Sequence, residues 1–198
     1  MDWKQRHEIA ADIIASAIIC DSQRLFTIMN GDGHGNKINP KHENYSPAYR
    51  ILKNISGASY DYHKTTHLHS TEAGVVQKIS QQQGINGRDF LRIVRKEIDV
   101  VQVGFYSRIA QKLALAQDTN GKSVLENSLI YLGADMGDAT THKSTDLFTA
   151  TISSAGGKIK TGNNNLNLND CEIPDFQAGL MKAIGHNQNI YGLSLIHI

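Results

Sequence analysis

The chain has 198 residues, a formal net charge of +1 and 40% hydrophobic residues. Its charges nearly cancel, which argues against a basic nucleic-acid-binding surface and against an acidic disordered tail. Mean hydropathy is −0.34 and no apolar run reaches membrane-spanning length; the longest, Ile9–Cys20, is interrupted by Asp12.

The first element in chain order is a helix, because Ile9, Ala10, Ile13, Ile14, Ala17 and Ile18 recur with Trp3 at three- and four-residue steps among charged residues. Arg24–Met29 follows as a short apolar strand and runs into the turn-rich stretch Asn30–Asn36. From there to about Ser70 the sequence is polar and irregular, a loop of the length that compact domains reserve for function or leave disordered. A long amphipathic helix comes after the Asn86-Gly87 break, carried by Phe90, Leu91, Val94, Ile98, Val101, Phe105, Ile109 and Leu113, and it ends at Asp118–Gly121. Ser128–Leu132 has the near-continuous apolar pattern of a strand covered on both faces, and Leu147–Ile152 is a further strand closed by Gly156-Gly157. A last helix starts near Pro174-Asp175, with Phe176, Leu180 and Ile184 on one face and Gly185 as its stop.

This order is that of an α/β domain, a mostly parallel, partial layered sheet with flanking helices. Three strands are few for a complete layer and imply further strands outside the chain. Residues 1–192 read as a single domain, and 193–198 as a truncated strand or a non-native tail. The length suits one domain that buries about two thirds of its surface. Two cysteines far apart, Cys20 and Cys171, make neither a disulfide framework nor a zinc site. Met1–Lys4 opens no basic leader, so at face value the chain is cytoplasmic.

Histidine is the unusual residue: there are nine, five of them between His34 and His69. Asp32-Gly33-His34 stands just past a strand end, where open α/β sheets collect ligands; the same residues also suit a plain glycine-rich turn. The cluster His63, His67 and His69 has the spacing of metal-binding imidazoles, His63 and His67 sharing a face if helical, His67 and His69 if extended. A second cluster follows the strand ending at Leu132, with Asp135, Asp138 and His142. Carboxylates with imidazoles suit a divalent hydrolytic site, in which the metal activates water or polarises a phosphoryl or sulfuryl oxygen. A capping aspartate in a turn is the simpler reading of Asp138 alone. No G-x-S-x-G elbow, dinucleotide fingerprint or P-loop occurs.

Taken together, the Cys20-Asp21-x-x-Arg24 step, the His-rich loop, the long helix, the strand leading to Met136-Gly137-Asp138 with His142 after it, and the Gly156-Gly157 turn resemble the HXXSHH family of secreted bacterial domains. The resemblance runs from about Ile9 to Gly185. The name motif falls on His63, Thr66 and His67, with Leu68 in place of the final histidine and Thr66 in place of the serine. His69 stands one residue further on. Such proteins look related to the alkaline phosphatase and sulfatase-like group, and the resemblance implies a C-terminal portion of that fold whose N-terminal part, with nucleophile and export signal, lies upstream. A periplasmic or extracellular location then replaces the cytoplasmic one.

What the resemblance and the clusters imply is a metal-dependent hydrolase-like protein acting on small-molecule or polymeric phosphate or sulfate esters. Its divalent ion would be zinc, manganese, calcium or iron. His63, His67, Asp138 and His142 are the expected ligands, with Asp32, His34 and His69 as further candidates. Thr66 is the expected hydroxyl contact to substrate or to a neighbouring imidazole. The rival is a non-catalytic exported binding or assembly module of the same fold.

Overall fold

The computed structural model describes residues 3–28, 46–56, 65–67, 73–134, 136–143, 145–162 and 171–186. Six helices and two strands are named among them. In chain order they are α1 (Trp3–Ile19), α2 (Pro47–Ser56), α3 (Ala73–Gln83), α4 (Gly87–Leu115), α5 (Val124–Asn127), β1 (Ile130–Gly133), β2 (Thr149–Ile152) and α6 (Ile173–Ala183). The chain divides into two compact units, Met1–Lys112 with Gly133–Thr149, and Leu113–Leu132 with Ala150–Ile198.

In the first unit the core lies between α2, α3 and α4. Ala48, Tyr49 and Leu52 meet Val75 and Ile79 and the α4 residues Phe90, Leu91, Val94 and Ile98, all buried. The long apolar stripe of α4 is therefore as its spacing predicts. Helix α2 departs from the irregular loop that the polar sequence of this segment predicts. Its start signal is nevertheless local: Ser46 precedes Pro47, and the Ser46 Oγ accepts the Tyr49 N–H at 2.8 Å, the bond of an N-cap with proline at N1. Glu97 on α4 completes this cap, accepting the Ser46 hydroxyl at 2.5 Å and the Ala48 N–H at 3.1 Å. A carboxylate at the positive end of α2 thus fixes α2 against α4.

Helices α3 and α4 join through a tight corner. Ser80 Oγ accepts the Gly87 N–H at 2.9 Å and donates to the Val76 carbonyl at 3.0 Å. A Cβ on Gly87 would lie 2.3 Å from that same carbonyl oxygen, so only glycine permits the approach. Asn86 caps α4 by accepting the Arg88 N–H at 2.9 Å.

Helix α1 differs from its expected face. Ala11 and Ala15 are its buried residues, whereas Ile9 and Ile13 are exposed. Polar contacts also tie it to α4. Arg108 of α4 makes a bidentate pair with Asp12, at 2.6 and 2.9 Å, and Lys112 stands 3.2 Å from the same carboxylate. These hydrogen bonds and charges hold the Asp12 carboxyl down at about 2. The His7 ring packs 5.3 Å from that of Phe105, and burial lowers its pKa.

Residues 24–28, expected as a strand, pair with no other strand among the described residues, and Leu25 is exposed. An isolated apolar run needs a partner edge to become a strand, and the described chain presents none here.

Strands β1 and β2, most of whose residues lie in the second unit, pair with each other. Bonds from Ala134 N–H to the Phe148 carbonyl and from Ala155 N–H to the Ser128 carbonyl flank this pairing, so the strands run antiparallel rather than in the mostly parallel sheet expected. The physical reason is the connection: parallel strands need a crossover, usually a helix, and the described part of 134–148 forms turns. In β1, Ile130, Tyr131 and Leu132 are half-buried and Gly133 is exposed, so the strand is not covered on both faces. In the same unit Ser123 and Glu126 form a reciprocal capping box on α5. Helix α6 begins after Glu172 with proline in its first turn, and Gly185, at φ +99°, follows its C-cap. The element order is that of a mixed α/β protein, with helix dominant and a small sheet.

Candidate functional site

Two of the histidines singled out by spacing meet in the first unit. The rings of His67 and His142 lie 4.9 Å apart, centroid to centroid, and are tilted by 54°. His67 is half-exposed and follows Thr65, which is fully buried, and Thr66. His142 is exposed and stands on the connection between β1 and β2.

The loop bearing His142 closes on itself. Gly137 N–H donates to the Lys143 carbonyl at 3.0 Å, and Lys143 N–H donates to the Asp138 carbonyl at 3.1 Å. Within this ring the Asp138 carboxylate accepts the Thr141 hydroxyl at 2.7 Å and the Thr140 N–H at 2.9 Å. Those bonds, the Thr141 hydroxyl foremost, hold the Asp138 carboxyl below its ordinary pKa. Gly137 is dictated by space, since a Cβ there would stand 1.8 Å from the Thr145 carbonyl oxygen. His142 itself has φ +53° and Asp146 φ +56°, left-handed conformations that cost a non-glycine residue about 1–2 kcal/mol. Left-handed residues of this kind cluster at binding and catalytic sites.

The expected ligands therefore separate. His67 and His142 come together; Asp138 lies on the His142 loop with its carboxylate engaged by two threonines. Thr66 adjoins His67. Asp32, His34, His63, His69 and Asp135 lie outside the described residues. Among the described residues no group of three or more His, Cys, Asp or Glu side chains is placed to hold an ion.

The donor chemistry fits a metal in part. With metal–nitrogen distances of about 2.0–2.1 Å and tetrahedral angles, two imidazoles on one ion have ring centres about 5 Å apart, close to the separation seen. The pair could supply two nitrogen ligands. Thr140, Thr141 and Gly137 also build the site, although none is a metal-ligand type. Their signal was an aspartate followed two and three residues later by threonines, the pattern of a side-chain-closed turn.

The chain matches no protein-family model, no curated protein and no solved structure.

Proposed function

We propose that the chain is part of an exported, HXXSHH-like, metal-dependent hydrolase-like protein that acts on phosphate or sulfate esters, with His67 and His142 holding a divalent ion. The carrying observation is the ring pair itself: two histidines from the two separate strand-end and loop clusters stand 4.9 Å apart. His63 is the further ligand expected from the motif, with Asp32, His34 and His69 as second choices. A bound ion of this kind would lower the pKa of a coordinated water or polarise an ester oxygen. The protein's own contribution is to hold the two imidazoles at one place, and Thr66, next to His67 in the chain, would orient an imidazole or meet substrate through its hydroxyl. The alkaline-phosphatase-like layered fold belongs to the same proposal, its remaining strands lying upstream.

The second reading, a non-catalytic exported module, draws on a different observation. The Asp138 carboxylate is turned to Thr140 and Thr141, an arrangement a structural turn uses. One experiment separates the two. Metal content is measured on protein carrying its native upstream region, beside a His67→Ala/His142→Ala variant, and both are assayed on 4-nitrophenyl phosphate and 4-nitrophenyl sulfate. Near-stoichiometric metal lost in the variant, together with hydrolysis lost in parallel, supports the hydrolase. Metal without turnover favours the binding module, and metal unchanged by the substitutions removes the His67–His142 site.

A further inference from the structure

We infer that Asp138 is a positioning residue for His142 and not itself a metal ligand; the inference rests on the reading of His67 and His142 as the metal pair. An aspartate at a strand end beside histidines invites assignment as a ligand, but among the described residues it does not group with the two rings to hold an ion, and each of its oxygens accepts a bond from its own loop. One takes the Thr140 N–H at 2.9 Å and the other the Thr141 hydroxyl at 2.7 Å. Both donors lie immediately before His142. The backbone of Asp138 also exchanges bonds with Lys143, immediately after His142. The residue thus grips the chain on both sides of His142 and holds that residue at φ +53°, the conformation from which its ring reaches His67. Gly137 seals the base of the loop against the Thr145 carbonyl.

Such a device has a physical purpose. A left-handed histidine on an exposed loop would relax to other conformations unless its neighbours over-determined it. Groups hydrogen-bonded directly to a ligating imidazole typically contribute about 10–100-fold to metal affinity without touching the ion; Asp138 would act one step further back, through the backbone that carries His142.

The test uses three variants of the full chain. Asp138→Ala removes both side-chain bonds. Asp138→Asn keeps a carbonyl oxygen for the turn but removes the charge a ligand would need. Thr141→Val leaves the carboxylate intact and cuts one of its bonds. The first readout is the nuclear Overhauser contact between the His67 and His142 ring protons in metal-free protein, and the second is zinc affinity. Asp138→Ala is expected to lose the ring contact and to weaken zinc binding about 10–100-fold. Asp138→Asn should retain both to within a few-fold, and Thr141→Val should fall between. A ring contact that survives in Asp138→Ala overturns the inference. So does an Asp138→Asn protein that keeps the contact but binds zinc as poorly as Asp138→Ala, because the charge would then be acting on the ion directly. Wild-type protein that shows the ring contact but binds no zinc sinks the metal reading while the positioning role is still judged by the first readout.

Discussion

The helical core between α2, α3 and α4 and the loop from Gly137 to Asp146 belong to one unit, yet they are held by opposite means. The core is apolar, with Leu52, Ile79 and Leu91 fully buried, and its stability scales with area removed from water. The loop has little buried apolar surface; hydrogen bonds to one carboxylate, a glycine contact and two left-handed residues define it. The core can lose a methylene and keep its shape. The loop has few interactions, each fixing a direction, so a small change should redirect a side chain without unfolding the protein.

Truncation in the core gives the largest effect. Leu52→Ala should destabilise the protein by about 2–5 kcal/mol, read as a shifted urea midpoint with little change in slope. In the fraction that remains folded, the His67–His142 contact should persist. A core substitution that abolished the contact in folded molecules would show that the two regions are not separable.

Gly137→Ala is the converse. The added Cβ must move the Thr145 carbonyl, at a cost of about 1–3 kcal/mol, and the ring contact between His67 and His142 should disappear while helix content by circular dichroism stays unchanged. Retention of the contact would mean that the loop has slack this geometry does not show.

Smaller still is the left-handed conformation of His142. Neither His142→Gly nor His142→Ala retains the imidazole, so their difference isolates the backbone. Glycine should be favoured by about 1 kcal/mol, measured by hydrogen exchange of the Lys143 amide. Equal protection in the two would place the φ strain elsewhere.

The smallest effects concern pH and lie at α1. The His7 pKa in the folded protein is below its ordinary 6.5 because of burial, so the unfolded chain takes up the proton first. Stability should be full above 6.5 and fall as pH drops through that value toward the folded one; His7→Phe should flatten this limb. Asp12, held at about 2 against an ordinary 3.8, contributes stability above 3.8 that is lost as pH falls through about 2. Asp12→Asn should remove that acid limb. Denaturation midpoints across pH 2 to 8 check both.

What the sequence disclosed depended on how far each signal reached along the chain. Helix α4 was legible because its stripe repeats over many turns, and α6 because Pro174 and Gly185 mark its ends. Helix α2 was hidden by its polar surroundings, although Ser46-Pro47 with Leu52 one turn beyond Ala48 is a sufficient local signature. On α1 the apolar spacing marks the isoleucines, whereas the buried residues are Ala11 and Ala15, on the side that carries Asp12 to Arg108. At the candidate site, His67 and His142 are nominated by residue type, since the chain is unusually rich in histidine. Their meeting could not be read, because it depends on a tertiary contact between distant segments. For Asp138 the sequence offers both a ligand and a capping aspartate in a turn, and its hydrogen bonds make it part of the loop's frame.

The most direct test of the account is the proton contact between the His67 and His142 rings, measured in metal-free protein in solution. The loop geometry predicts a clear contact before any ion is added, little changed in Asp138→Asn and absent in Asp138→Ala. Rings that come together only after zinc is added would contradict it, because the pair would then be assembled by the metal and not by the loop.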